Sequence, residues 1–261
     1  MKKTMIGVDL IYDIGNVFRK NNATVHGTKN LPDAGIDAGV KRFVHCSTVG
    51  VHGHIVNPPG AEDSPYAPGD SYQQSQAEGE RIVNQYMEER RIPAVVFRPC
   101  GIYGTGDLRF LKLLKTIKRG ILLIIGCGEV YYQRIYTDGL IEGILLCGSK
   151  KEAIGNVYML GDENYATLNR LFEIIADGLD VNPPRFHNPF TPVYYSSILC
   201  ELICKALGIN PPLYRRRVDF FRKNRAFEIS KANAEIGFKP KIDLKNGLRL
   251  TAAWYQKQGL L

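Results

Sequence analysis

Two runs constrain the fold more than anything else in the chain: "RFVHCSTVGV" at residues 42–51 and "PAVVFRP" at residues 93–99. Each is apolar at consecutive positions, the mark of a strand buried on both faces. A Pro- and Gly-rich loop leads from the first run to Gly69, and a helical pattern follows over 72–90. Its apolar stripe is Ala77, Ile82, Val83, Tyr86 and Met87. Strand, helix, strand in that order requires a parallel sheet covered on both faces, an α/β fold. An earlier β-rich run, "VDLIY" at 8–12, precedes a helix-like stretch to about Gly39. Later come an amphipathic helix at 109–120, the strand "GNVYMLG", and "TLNRLFEIIADGL", whose Thr can cap a helix. An apolar helix at 191–208 is broken by Glu201 and Lys205, and a last helix spans 245–258. No repeat or flexible linker separates the first part, 1–150, from the second, 151–261, so the two are expected to interleave.

Composition narrows the class. A chain of 261 residues with 44% hydrophobic and 10% aromatic content has enough apolar surface for a packed core. No apolar run reaches the ~18–20 residues that span a bilayer. The start, "MKKTMIGVDLIYD", is interrupted by Asp9 and Asp13, which argues against a signal peptide. Six cysteines without C-x-x-C spacing read as reduced thiols of a cytoplasmic protein. The net charge of +8 is uneven: from Arg185 onward there are 14 Lys/Arg and 5 Asp/Glu. That basic half suits an anionic membrane, an anionic substrate or plain solvent, and nucleic acid is not expected. The arginines at 215–217 carry the same alternatives: phosphate or lipid head groups, or a solvated turn after Pro211 and Pro212. For the helix at 191–208 the choices are a membrane surface, the sheet, or the lid of an apolar pocket. His52 and His54 have no acidic or cysteine partner at ligand spacing, so no metal site is expected.

The chemistry sits around "DSYQQSQAEGER", residues 70–81. Thr48 ends a buried strand, and open α/β sheets bind ligands beyond the carboxyl ends of their strands. Tyr72 opens the next helix. A tyrosine there can exchange a proton with a carbonyl or alcohol, but its ordinary pKa near 10 is too high. A lysine one turn later would lower it; its charge at ~4 Å is worth about 4 kcal/mol at an effective dielectric of about 20. The chain has Gln76 there, which supplies no such field.

Five segments occur in one order: "KRFVHCSTVGVHG", "SYQQSQAEGERIV", "VVFRPCGIYGTGD", "YQRIYTDGLIEGILL" and "NVYMLGDENYATLNRLFEIIA". In them the chain resembles the extended short-chain dehydrogenases/reductases, the NAD-dependent epimerase/dehydratases. The run from Pro211 to Gly259 is most similar to their 3β-hydroxysteroid dehydrogenase and dihydroflavonol reductase branch. The resemblance implies a Rossmann-like doubly wound parallel sheet with a C-terminal substrate lobe. It implies NAD or NADP as cofactor and a hydrophobic hydroxy or keto substrate. By position Thr48 would orient the carbonyl, Tyr72 would be the acid/base, and Gln76 stands at the lysine position. Ser47, Arg98, Pro99, Cys100, Gly101 and Ile102 would lie along the nicotinamide. Val49, where the dehydratases have an acid, favours hydride transfer or epimerisation over dehydration.

Two departures change the expectation. The family's opening G-x-x-G-x-x-G, which cradles the pyrophosphate, occurs nowhere in this sequence, and the match begins at the family's fourth strand. The second departure is Gln76. Weak NAD(P) binding and impaired redox chemistry are therefore expected, the alternatives being a non-redox binding or scaffold protein and an incomplete gene product. "DIGN" at 13–16 is unusual for the family, and Pro32 and Gly35 interrupt a helix that the family keeps unbroken. A sheet that starts this way would leave residues 8–12 as an apolar edge, expected to be covered by another segment or by a second copy.

Overall fold

The computed structural model describes residues 7–15, 21–89 and 91–261, with side chains for all of these except 21–28. The first six residues of the stretch read against a signal peptide, and Asn16 of "DIGN", lie outside the described residues.

The central sheet has four parallel strands. Strand β1 is Leu10–Asp13. Helix α1, Asn21–Ala38, returns the chain to β2, Arg42–Cys46. Helix α2, Ser71–Glu88, leads to β3, Ala94–Pro99. After β3 the chain leaves the sheet through β4 (Gly101–Tyr103), α3 (Leu108–Lys118) and the short strands β5 (Ile124–Ile125), β6 (Tyr131–Tyr132) and β7 (Arg134–Tyr136). Helix α4, Thr137–Ser149, brings it back to β8, Val157–Leu160. The order is β1-β2-β3-β8, so β1 is an edge among the described residues. The remainder is β9 (Ala166–Thr167), α5 (Leu168–Gly178), β10 (His187–Asn188), α6 (Phe190–Ala206), α7 (Arg215–Asp219), α8 (Ser230–Ile236) and α9 (Leu244–Lys257).

Alternation along the strands builds the two faces. Phe43, Ala94 and Val96 join Val83 and Tyr86 of α2, with α1 alongside. Val44, Val95 and Phe97 point the other way, into a cluster with Leu140 and Cys147 of α4 and Ala232 and Ile236 of α8. With helices on both faces the sheet is doubly wound and Rossmann-like. A third cluster forms the lobe. Tyr103, Phe110, Leu114 and Tyr136 pack there with Leu171 and Phe172 of α5 and Leu248 and Tyr255 of α9. The chain thus contributes to the lobe before residue 150 and returns to the sheet after it.

Helix α1 runs unbroken through Pro32, contrary to the interruption expected there. Gly35 is needed in it: a Cβ would come within 3.2–3.3 Å of Ile92, Val40 and Ile11. The glycine is a close-packing position where α1 meets the sheet. The strand expected at 8–12 is displaced, because Leu10 to Asp13 are the residues in register with Arg42 to His45.

Candidate active site

The site forms where β2 and β3 end. Ser47 continues the ladder by donating its N–H to the Phe97 carbonyl at 2.9 Å. Thr48 then caps a short 3-10 turn, Val49–His52, its Oγ1 accepting from the Gly50 N–H at 3.1 Å. That contact uses the hydroxyl as acceptor and leaves its proton to donate elsewhere. Gly53 closes the turn at φ +64°, where a Cβ would strike the Ala67 carbonyl oxygen.

Helix α2 begins with a reciprocal cap. Asp70 accepts from the Gln73 N–H at 2.9 Å, and the Gln73 side chain accepts from the Gly69 N–H at 2.7 Å. This cap fixes Tyr72 in the first turn. Thr48, Tyr72, Pro99, Cys100 and Gly101 all line one cleft of about 580 Å³. The opposite wall comes from the lobe and includes Tyr132, Tyr194, Glu201, Arg215, Arg216 and Arg225. Sequence reasoning flagged the arginines at 215–217 but did not bring them here. Arg215 pairs with Glu201 at 2.8 Å and Arg216 with Asp70 at 3.0 Å, while Arg217 is exposed.

Arg225 was not foreseen. Its guanidinium lies over Phe220 at 5.2 Å and near Tyr132 at 6.0 Å, and its Nη1 is buried with no acceptor among the described residues. Burial, foremost, pushes its pKa down, although an arginine stays charged. A guanidinium at a cleft wall with one nitrogen left without an acceptor among the described residues is a candidate seat for an anionic group.

Other expected site residues have different tasks. Ser47 is buried and donates its hydroxyl proton to Glu80. Arg98 does not line the cleft. Its Nε donates to Glu80 at 3.0 and 3.1 Å, and its Nη1 donates to the Glu62 carbonyl at 2.8 Å and meets His52 Nε2 at 2.9 Å. Tyr66 completes this knot by donating to Glu80 at 2.7 Å. Burial opposes the Glu80 charge, yet the Arg98 bonds and charge, with Ser47 and Tyr66, hold its pKa below the usual carboxylate range. Burial, then the Arg98 charge, lowers the pKa of His52, which suits a neutral ring with Nδ1–H facing the Pro65 carbonyl. His54 accepts from the Asn224 N–H at 3.0 Å. The network locks α2 to β3 beneath the cleft. Ile102 is half-buried in β4, outside the lining.

Gln76 is 2% exposed and also outside the lining; its amide Nε2 is buried without a partner among the described residues. Arg109 is one cation whose charge couples to Tyr72, more weakly than to Asp107, which binds it at 2.8 and 2.9 Å.

Comparison with known proteins agrees with this geometry. A family model described as NAD dependent epimerase/dehydratase family matches residues 15–161, more than half of the chain. The chain belongs to the NAD-dependent epimerase/dehydratase family. Among curated relatives, the 3beta-hydroxysteroid-dehydrogenase/decarboxylase isoform 1 of Arabidopsis thaliana is 29% identical over 91% of this chain. This chain spans 58% of that protein's length. The UDP-glucose 4-epimerase of Vibrio cholerae is 26% identical over 87% of the chain and is itself 66% covered. The crystal structure of gox2253 superposes with a TM-score of 0.82 at 23% identity, covering 100% of this chain and 82% of that one. A Bacillus cereus UDP-glucuronic acid 4-epimerase in complex with NAD gives 0.75 at 20%, covering 98% and 77%. These likenesses establish the shared fold.

The residues of this chain fit the family's cofactor at one end only. The cleft beside Thr48, Tyr72 and Gly101 has room for a ring. No glycine cradle for a pyrophosphate occurs in the sequence, and the helix N-terminus at the cleft, that of α2, is already capped by the Asp70 carboxylate. A dinucleotide does not fit the residues present.

Proposed function

We propose that this chain carries the acid–base and substrate half of an oxidoreductase site and that its redox activity is impaired. The substrate is a hydrophobic hydroxy or keto compound with an anionic end. Its apolar body packs against Tyr132, Tyr194 and Phe220, and its anion meets Arg225. Thr48 donates a hydrogen bond to the oxygen at the reacting carbon, and Tyr72 gives or takes the proton there. The observation that carries this reading is the convergence on one cleft of Thr48, Tyr72 and Arg225, whose Nη1 has no acceptor among the described residues. NAD(H) is the cofactor the family points to, and NAD-bound neighbours support it by resemblance. Without a glycine cradle the affinity is expected to be low.

Calorimetric titration with a panel of hydroxy and keto acids of increasing apolar length tests the reading. Binding should strengthen with apolar length and fall at least about tenfold in Arg225→Ala, a loss typical of a charge-assisted contact. Binding indifferent to Arg225→Ala would overturn it. A second reading, a non-redox binding protein, is favoured by the burial of Gln76 away from the cleft. Nicotinamide-linked turnover that disappears in Tyr72→Phe would exclude it.

A further inference from the structure

Helix α6 is apolar nearly all round, and such helices belong inside a core or against lipid. Here only Ser197 and Cys204 are buried. Tyr194 and Glu201 face the cleft. On the side opposite Ser197 and Cys204, helical periodicity gathers Tyr195, Leu199, Leu202 and Ala206 into one stripe about 16 Å long. Ile203 and Leu207 flank it. The five large side chains of this face are 50–66% exposed.

The charge around the stripe is net positive. Glu201, the carboxylate of α6, is occupied by the Arg215 N–H at 2.7 Å and by Arg215 Nε at 2.8 Å. Lys205 is exposed on the same helix. Arg217, exposed in α7, which packs on α6, stacks over Tyr214 at 4.6 Å rather than pairing with an acid. Residues 190–222 hold five Lys/Arg and two Asp/Glu. An aliphatic and tyrosine stripe bordered by exposed cations is the chemistry of an anionic lipid surface. A second copy suits it poorly, since that would bring two basic lobes together.

We propose that α6 seats the lobe on an anionic bilayer. Tyr195, Leu199 and Leu202 enter the boundary between head groups and acyl chains, and Lys205 and Arg217 meet the lipid phosphates and carboxylates. The same helix walls the cleft, so the seated lobe holds its cleft beside the lipid. None of this depends on the proposed function.

Flotation of the full chain with vesicles of phosphatidylcholine alone, or of phosphatidylcholine with phosphatidylserine, is the test. The chain should float with the phosphatidylserine vesicles and be released by high salt. Leu199→Asp/Leu202→Asp and Lys205→Glu/Arg217→Glu should each weaken binding at least about tenfold, since one basic residue at an anionic surface is worth roughly fivefold. These side chains are exposed, so thermal unfolding should match wild type. Failure to float, equal binding to neutral vesicles, or binding untouched by both double variants would overturn the proposal. A dimer that Leu199→Asp/Leu202→Asp dissociates would overturn it too, by assigning the face to a second copy.

Discussion

Gln76 shows how far a single residue can be read. The sequence reveals the missing lysine, but burial decides what restoring it would do. Because Gln76 is sealed beneath the cleft, Gln76→Lys would put an ammonium where no acceptor waits. The expected outcome is no gain in nicotinamide-linked turnover and a lower Tm, measured by absorbance and by thermal unfolding; a turnover gain would count against this. Asp162 gave no signal in the sequence. Both its carboxylate oxygens are buried without a well-formed hydrogen bond. Burial first, then the charge of Asp243, raises its pKa from 3.8 to about 7, the Tyr136 backbone offsetting part of the rise. The native state therefore keeps a proton that the unfolded chain loses. This stabilising contribution is complete below pH 3.8 and is lost as pH rises through about 7. The slope over that interval approaches about 1.4 kcal/mol per pH unit. Asp162→Asn should flatten the profile and stabilise the protein at about pH 8, as urea unfolding across that range would register.

Among the elements, α2 does most to build the site, because its cap places Tyr72 and its buried side holds Glu80. Asp70→Ala removes both the cap and the tie to Arg216, and should cost about 1 kcal/mol in chemical unfolding. A change within error would contradict that contribution of the cap. Strand β1 poses the other question at this scale. Leu10 is 36% exposed on an edge that pairs only with β2 among the described residues. We propose that a second copy pairs there. Light scattering should then find a dimer that Leu10→Lys dissociates, whereas a wild-type monomer would refute the pairing. The strands and helices of the sheet were legible because consecutive apolar runs and the 3.6-residue stripe of α2 leave little choice. The short strands β4 to β7 were not, since two or three residues carry no period. Arg225 was hidden for a related reason: nothing local distinguishes it from its basic neighbours, and only tertiary packing buries its Nη1 without an acceptor among the described residues.

At the scale of the molecule, the fold brings Thr48 and Tyr72 from the sheet to one cleft with the lobe. Sheet, cap and buried Glu80–Arg98 pair hold Thr48 and Tyr72 at the strand ends, while the lobe closes the cleft with arginines and aromatics. What holds a pyrophosphate in such folds is backbone freed by glycines at a helix N-terminus, and no such glycine motif occurs in the sequence. We propose that substrate recognition persists here while cofactor recognition is weakened. Isothermal calorimetry of the chain with NAD, NADH, NADP and NADPH tests this most directly. The account predicts no binding in the micromolar range for any of the four; a micromolar or tighter Kd for one of them would contradict it.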